Sequence, residues 1–277
     1  MLLTQTGLDI TLDAQTGELS FGAGVLCDGH SEKRLAAMEG LFESIEGEDG
    51  DQRVYWAYRN IRRPEDDAAW TARGLRYDIT VLLPGAAHGE LFKTSGHYHG
   101  FGPDTQLPYA EVYEVLAGEV AFVLQCDSRL SRDGQDSGEL DYVRVVRVRE
   151  GESVIIPPYC GHGSINVAEG VSAFSNIAFA ACPLFYGPVA RRHGLAVRVL
   201  RDGDDICLRA NELWGAQPEA TTVRPQEAPS LGIAFGVPCY ETYLAHPERY
   251  GYMTSPDGRA AELEALILSP AHEGGIS

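Results

Sequence analysis

The chain has 277 residues, enough to bury a full hydrophobic core as one large β domain with extensions or as two domains. Its 40 acidic and 22 basic side chains give a formal net charge of -18 and an isoelectric point of about 4.8, so nucleic acid and anionic membrane surfaces would repel it. Six cysteines, at positions 27, 126, 160, 182, 207 and 239, form no CxxC pair and no regular spacing, which reads as reduced thiols and not as a disulfide framework.

The N-terminus, Met1-Leu2-Leu3-Thr4-Gln5, has no basic start and no apolar core, and no apolar run approaches the ~20 residues of a membrane span. A cytoplasmic location is expected. Residues 8 to 20 alternate around Asp13-Ala-Gln-Thr-Gly17, which predicts a hairpin. Ser31 to Phe42 reads as a short helix with Ser31 as N-cap and Leu35, Met38 and Leu41 on one face. The acidic stretch Glu43 to Gln52 reads as an exposed loop, Val54 to Ile61 as a strand and Arg62 to Asp67 as a turn. Leu75 to Leu83 is a strand closed by Pro84-Gly85.

Residues 92 to 118 hold the densest chemistry. His97 and His99 stand at i and i+2, so one strand presents both imidazoles on the same face. Gly100, Gly102, Pro103 and Pro108 break that strand as a hairpin connection would, and Ala110 to Leu116 reads as the returning strand with Glu111 at its start. Two imidazoles and a carboxylate suit one divalent transition metal: Fe, Mn, Ni, Zn or Co. Glu119 to Cys126 and Tyr142 to Val148 are further strands, joined by a polar hairpin tip at Asp127 to Asp141. Val154 to Ile156 is a short buried strand stopped by Pro157-Pro158, with His162 on the following turn, and Ser172 to Ala180 continues the sheet. Leu195 to Arg201 and Ile206 to Arg209 read as an edge hairpin, and Gln217 to Ser230 as a linker. Pro238 to Tyr252 is aromatic-rich, either a clamp onto the body of the fold or a partner, or a surface helix with inward tyrosines. Strands at this spacing predict an all-β sandwich or barrel.

His97-x-His99, Glu111 and Gly118, followed by Gly151, Pro157, His162 and Asn166, together resemble the two signatures of the cupin superfamily. That resemblance implies an antiparallel β-barrel (jelly roll) with short N-terminal and C-terminal helical or loop extensions. It places a cupin domain over residues 1–200 and an extension over 201–277. Within the cupins the chain looks like the metal-dependent phosphoglucose isomerases, from about residue 10 to 194. The matching segments are Asp13-Ala-Gln-Thr-Gly17, Arg34-Leu-Ala-Ala-Met-Glu-Gly40, Val54-Tyr55, Ile79-Thr80-Val81-Leu82, Phe92-Lys-Thr-Ser-Gly-His-Tyr-His99, Ala110-Glu-Val-Tyr113, Pro157-Pro158-Tyr159 and Tyr186-Gly187.

The resemblance implies metal ligands His97, His99, Glu111 and His162, and substrate contacts from Tyr55, Thr80, Thr94, Gly96, Tyr113 and Tyr186. It implies interconversion of glucose 6-phosphate and fructose 6-phosphate through a cis-enediol or a hydride shift, with Glu111 and Tyr113 as the catalytic pair and a homodimeric assembly. The chain departs from the family at three positions: Leu184 replaces a histidine, Ala178 a tyrosine and Cys160 a tryptophan; the connection Gly100 to Tyr109 is longer. These departures keep other readings open: an isomerase or epimerase for another sugar phosphate, a cupin dioxygenase, or a non-catalytic sugar-binding cupin.

Overall fold

The computed structural model describes residues 1–203 and 205–268, and antiparallel strands carry most of it. In chain order these are β1 (Ile10–Leu12), β2 (Leu19–Phe21), β3 (Gly29–Arg34), β4 (Arg53–Arg59), β5 (Leu75–Leu82), β6 (Ala86–Ala87), β7 (Glu90–Leu91), β8 (Tyr98–His99), β9 (Glu111–Ala117), β10 (Glu119–Cys126), β11 (Tyr142–Arg149), β12 (Ser153–Ile156), β13 (Cys160–Asn166), β14 (Ser172–Phe179), β15 (Leu184–Phe185), β16 (Val197–Asp202), β17 (Asp205–Ala210) and β18 (Thr221–Val223). The α-helices are α1 (Asp67–Arg73), α2 (Gly187–Ala190), α3 (Cys239–Ala245) and α4 (Ala260–Leu268).

A six-stranded sheet runs β12-β9-β14-β5-β4-β3, and a four-stranded sheet runs β13-β10-β11-β18, with β18 added in parallel. The two sheets face each other across one apolar layer. Tyr113 of β9 lies 5.0 Å from Phe122 of β10, and Phe122 lies 5.6 Å from Phe174 of β14, between ring centroids. The chain passes from one sheet to the other at Gly118, whose φ is 74° and where a Cβ would lie 2.5 Å from Ser172 Oγ, so no side chain fits. This is the all-β antiparallel class that the strand spacing predicts.

The outer face of the six-stranded sheet is covered by segments from both ends of the chain. Trp70 of α1 stacks on Tyr243 of α3 at 4.1 Å, and Tyr240 meets Tyr77 of β5 edge-on at 5.2 Å. Each such aromatic pair is worth roughly 0.5–1.5 kcal/mol beyond its buried area. The tyrosine hydroxyls are satisfied: Tyr243 donates to Ala69 O at 2.8 Å, and Tyr240 to Asp66 Oδ2 at 2.8 Å. The aromatic segment is therefore a helix with inward tyrosines, clamped on the sheet. Residues 269–277 of the expected C-terminal extension lie outside the described residues.

Several local expectations change. The helix predicted over Ser31–Phe42 begins later: Ser31 is in strand β3, and a 3-10 helix spans Leu35–Leu41 with no side-chain cap. Pairing of β3 with β4 satisfies backbone groups that a helix would otherwise have to use. The turn after Arg62 leads into α1, and the stretch read as a linker contains β18. His162 sits within β13 and not on a turn, because β10 gives that segment a ladder partner. Cys126 and Cys160 form a disulfide, whereas all six cysteines were expected to be reduced. They are directly opposite on β10 and β13, a proximity that a sequence separation of 34 conceals.

Candidate metal centre

His97, His99, Glu111 and His162 come together with one ligand atom from each within 4.8 Å of the others. Two opposed ligands on a first-row ion bound at about 2.1 Å are about 4.2 Å apart, so the donor set is close to the span an ion requires. The backbone brings the ligands together from three places. His97 N–H donates to His162 O at 3.0 Å and His162 N–H to His97 O at 2.9 Å, a reciprocal pair that sets two ligands face to face. Gly96, with φ of 72°, allows this approach, since a Cβ there would lie 3.3 Å from His162 O. His99 follows on β8, and Glu111 begins β9.

The rings are oriented from behind. His99 Nδ1 lies 3.0 Å from Tyr109 O, and His162 Nδ1 lies 3.1 Å from Cys160 O. A ring that donates Nδ1–H to a carbonyl turns its Nε2 lone pair toward the cluster, the tautomer a metal ligand needs. Tyr109 closes the long 100–109 connection, so that connection orients the His99 ring of the cluster. Glu111 Oε2 is central, 3.1 Å from His99 Nε2, 3.3 Å from His162 Nε2 and 2.8 Å from the Tyr113 hydroxyl that donates to it. Its other oxygen, Oε1, accepts from Asn176 Nδ2 at 2.7 Å.

Burial, then the neighbouring His162 and His99, push the His97 imidazole well below its usual range, so it stands neutral and ready to donate a lone pair. Burial drives the Glu111 carboxyl upward, but hydrogen bonds and charge from His162 and His99 more than offset it and hold it well below the carboxylate range. Burial and the adjacent Glu111 keep the Tyr113 phenol protonated, and burial does the same for Tyr186.

The cluster opens on a cavity of about 610 Å³ between the six-stranded sheet and the segment that follows β14. All six predicted substrate residues line it: Tyr55, Thr80, Thr94, Gly96, Tyr113 and Tyr186. Tyr55 Oη is 3.4 Å from Ser95 Oγ. Thr94 Oγ1 accepts from Ser164 N at 3.0 Å, which leaves its O–H free to donate into the cavity. Tyr186 is half-exposed and stands 5.3 Å from His97, ring to ring. The expected ladder between the His97-x-His99 strand and Ala110–Leu116 does not form. Phe101 and Pro108 close the connection, but β8 pairs with β15, while β9 pairs with β12 and β14. Sequence reasoning missed Asn176, Arg59, Arg76 and Ser164, which also line the cavity. The one available signal was that Asn176 shares a strand face with Ala178.

A family model described as Glucose-6-phosphate isomerase (GPI) matches residues 30–214. A glucose-6-phosphate isomerase of Thermococcus litoralis is 29% identical over 203 residues, covering 71% of this chain and 94% of its own length. That of Pyrococcus furiosus is 28% identical, covering 66% and 87%, and that of Sinorhizobium medicae 26% identical, covering 76% and 88%. Among solved structures, an oxalate oxidase aligns over 61% of this chain and 58% of its own with 15% identity and a TM-score of 0.30.

Proposed function

The chain belongs to the glucose-6-phosphate isomerase family, and we infer that it interconverts glucose 6-phosphate and fructose 6-phosphate as a metal-dependent aldose–ketose isomerase. The observation that carries this reading is the group of three imidazoles and one carboxylate on the wall of a cavity large enough for a sugar phosphate. The donor set fits a divalent transition metal: His99 and His162 with fixed Nδ1 partners, the neutral His97 ring, and the Glu111 carboxylate between them. His97, His99, Glu111 and His162 would hold one such ion.

Isomerisation removes the hydrogen from C2 of the open-chain aldose and returns it to C1, while a hydroxyl proton moves from O2 to O1. A divalent ion supplies Lewis-acid polarisation of the oxygens at these carbons. Glu111 is the carboxylate placed to carry the hydrogen as a proton, through a cis-enediol. The interactions that hold it ionised also weaken it as a base, which keeps a direct C2-to-C1 hydride shift in play. Tyr113, protonated and bonded to Glu111, can donate to a sugar oxygen when Glu111 turns toward substrate. Tyr55, Thr80, Thr94, Gly96 and Tyr186 offer hydroxyl and backbone contacts along the cavity.

Family resemblance also supports a homodimer, a cytoplasmic location and a division into a catalytic body (1–200) and an extension (201–277). Among the described residues, no helix is long and apolar enough to cross a membrane. The deciding experiment is a coupled isomerase assay on metal-reconstituted protein with a panel of sugar phosphates. Turnover of glucose 6-phosphate above the other sugars supports the reading, and its absence at full metal loading rejects it.

A further inference from the structure

The C-terminal extension reaches toward the metal cluster through one carboxylate. Asp257 stands on the turn between a 3-10 helix over Pro247–Met253 and α4. Its Oδ1 accepts from the Gln106 backbone N–H at 3.0 Å and from the Leu107 N–H at 2.9 Å, and its Oδ2 lies 3.1 Å from the Gln106 nitrogen. Bonds from backbone N–H groups to a carboxylate are of the stronger, charge-assisted kind. Gln106 and Leu107 belong to the connection that ends at Tyr109, whose carbonyl lies 3.0 Å from His99 Nδ1. From another side Arg132, on the tip between β10 and β11, donates to Thr105 O at 2.8 Å and to Gly102 O at 2.6 Å. Its guanidinium also lies 4.9 Å from the centroid of the Phe101 ring. Among the described residues, these two side chains make all the hydrogen bonds that tie residues 101–108 to other parts of the chain.

The two ligands with carbonyl partners differ in what holds that partner. Cys160, which supplies the carbonyl for His162, lies in the β10–β13 ladder. Tyr109 ends a connection that contains Gly100, Gly102, Pro103 and Pro108 and forms one isolated bridge, Phe101 to Pro108. Its base is closed by Tyr109 N–H donating to Gly100 O at 3.0 Å and by the Tyr109 ring against Phe179 at 4.8 Å. A segment held only at its base opens locally at low cost, and each opening carries the carbonyl away from His99. The arm that bears Asp257 is itself fixed. Met253 and Leu263 on either side of it are fully buried, and Tyr252 Oη donates to Leu231 O at 3.1 Å. The family model ends at residue 214, so Asp257 lies beyond what it describes.

We propose that Asp257 and Arg132 are positioning residues for the metal centre. They clamp the 100–109 connection so that Tyr109 O holds the His99 ring with Nε2 toward the ion. The proposal rests on the four-ligand reading and is independent of which sugar is turned over. Groups bonded directly to a ligand are commonly worth about 10–100-fold in metal affinity, so a clamp acting one step further back should be worth about threefold to tenfold. Coupling is reciprocal: a bound ion should in turn slow hydrogen exchange at the Gln106 and Leu107 amides.

The test uses the full chain with Co²⁺ as the probe, its affinity read by chelator competition and its ligand geometry by the visible absorption band. Asp257→Ala and Arg132→Met should each weaken Co²⁺ by that factor and change the intensity of the band. Asp257→Asn keeps one side-chain oxygen for the two amides and should recover most of the affinity. Glu262→Ala breaks an ion pair with Arg259 in the same extension and should change neither readout. A purely structural role would lower the melting temperature of metal-free Asp257→Ala and leave affinity and band as in the native chain, and that result overturns the proposal. Should Asp257→Ala fail to fold, hydrogen exchange in the native chain decides: protection of the Gln106 and Leu107 amides by Co²⁺ supports the clamp, and unaltered exchange overturns it. A native chain that binds no Co²⁺ rejects the four-ligand reading and the clamp with it, whereas native binding with unaltered variants rejects the clamp alone.

Discussion

Asn176 and Glu111, 65 residues apart in the chain, are joined by a 2.7 Å hydrogen bond from Asn176 Nδ2 to Glu111 Oε1. The bond occupies one carboxylate oxygen and turns the other toward the three imidazoles. Partners that orient a metal ligand are commonly worth about 10–100-fold in metal affinity or activity. Asn176→Ala should therefore lower metal affinity and kcat by that order. Asn176→Asp should do more damage, since a second carboxylate would face Glu111. A competitive chelator titration measures the first effect, and affinity unaltered in both variants would remove Asn176 from the orienting role.

Glu111→Gln keeps the side-chain volume and an oxygen for the metal but removes the proton acceptor. Turnover should fall by roughly 10²–10⁴-fold, the usual worth of a positioned acid–base group, while metal content drops less because three imidazoles remain. In D₂O the native enzyme should place deuterium at C2 of glucose 6-phosphate if a proton is exchanged. An active Glu111→Gln enzyme giving unlabelled product would assign the transfer to a hydride shift.

Metal content should be close to one first-row ion per chain after reconstitution, by elemental analysis. His97→Ala/His162→Ala removes the reciprocal backbone-anchored pair of ligands and should leave the protein metal-free. A bound ion stabilises only the folded state, so chelation should lower the native melting temperature and leave the double variant's unchanged. Full occupancy in that variant would end the assignment of these ligands.

Stability should fall between pH 5 and 8 because of Glu114. This carboxyl, on the opposite face of β9 from Glu111, is pushed up to about 8 by burial, although the Cys239 backbone N–H donates to it at 3.0 Å. Burial holds the neighbouring Tyr77 phenol and Cys239 thiol well above this window, so they do not titrate in it. An unfolded glutamate titrates near 4.3. Between the two values the folded chain binds more protons than the unfolded one. The stabilisation is complete below pH 4.3 and is lost as pH rises through 8. Glu114→Gln stays neutral and can still accept from Cys239, so its urea midpoint should be flatter across the window and higher at pH 8. A midpoint that varies with pH as in the native chain would assign the dependence to other groups.

The C-terminal aromatic segment should matter to stability before it matters to catalysis. Tyr243→Ala removes the ring stacked on Trp70 and should cost about 3–5 kcal/mol, the usual range for a large core aromatic. Tyr243→Phe, which loses only the bond to Ala69 O, should cost about 1 kcal/mol. Denaturant titration separates the two, and equal costs would mean that the ring contributes little. Light scattering on the full chain and on one truncated after residue 235 tests the homodimer and whether this segment builds it.

Local features follow from the order of residues alone. Two histidines at i and i+2 must share a strand face, and their rings stand 5.3 Å apart. Alternating apolar residues broken by Gly and Pro gave the antiparallel class, and the paired signatures picked out the four clustered side chains. Features that depend on register come from the folded arrangement of the strands. Asn176 meets Glu111 and Cys126 meets Cys160 because particular strands pair at particular offsets, and a slip of one residue would turn each side chain to the other face. The same cause moved His162 from an expected turn onto β13 and ended the predicted 31–42 helix as a strand and a 3-10 turn. A segment with a ladder partner satisfies its backbone across the sheet, and that partner is chosen by residues far away in the chain.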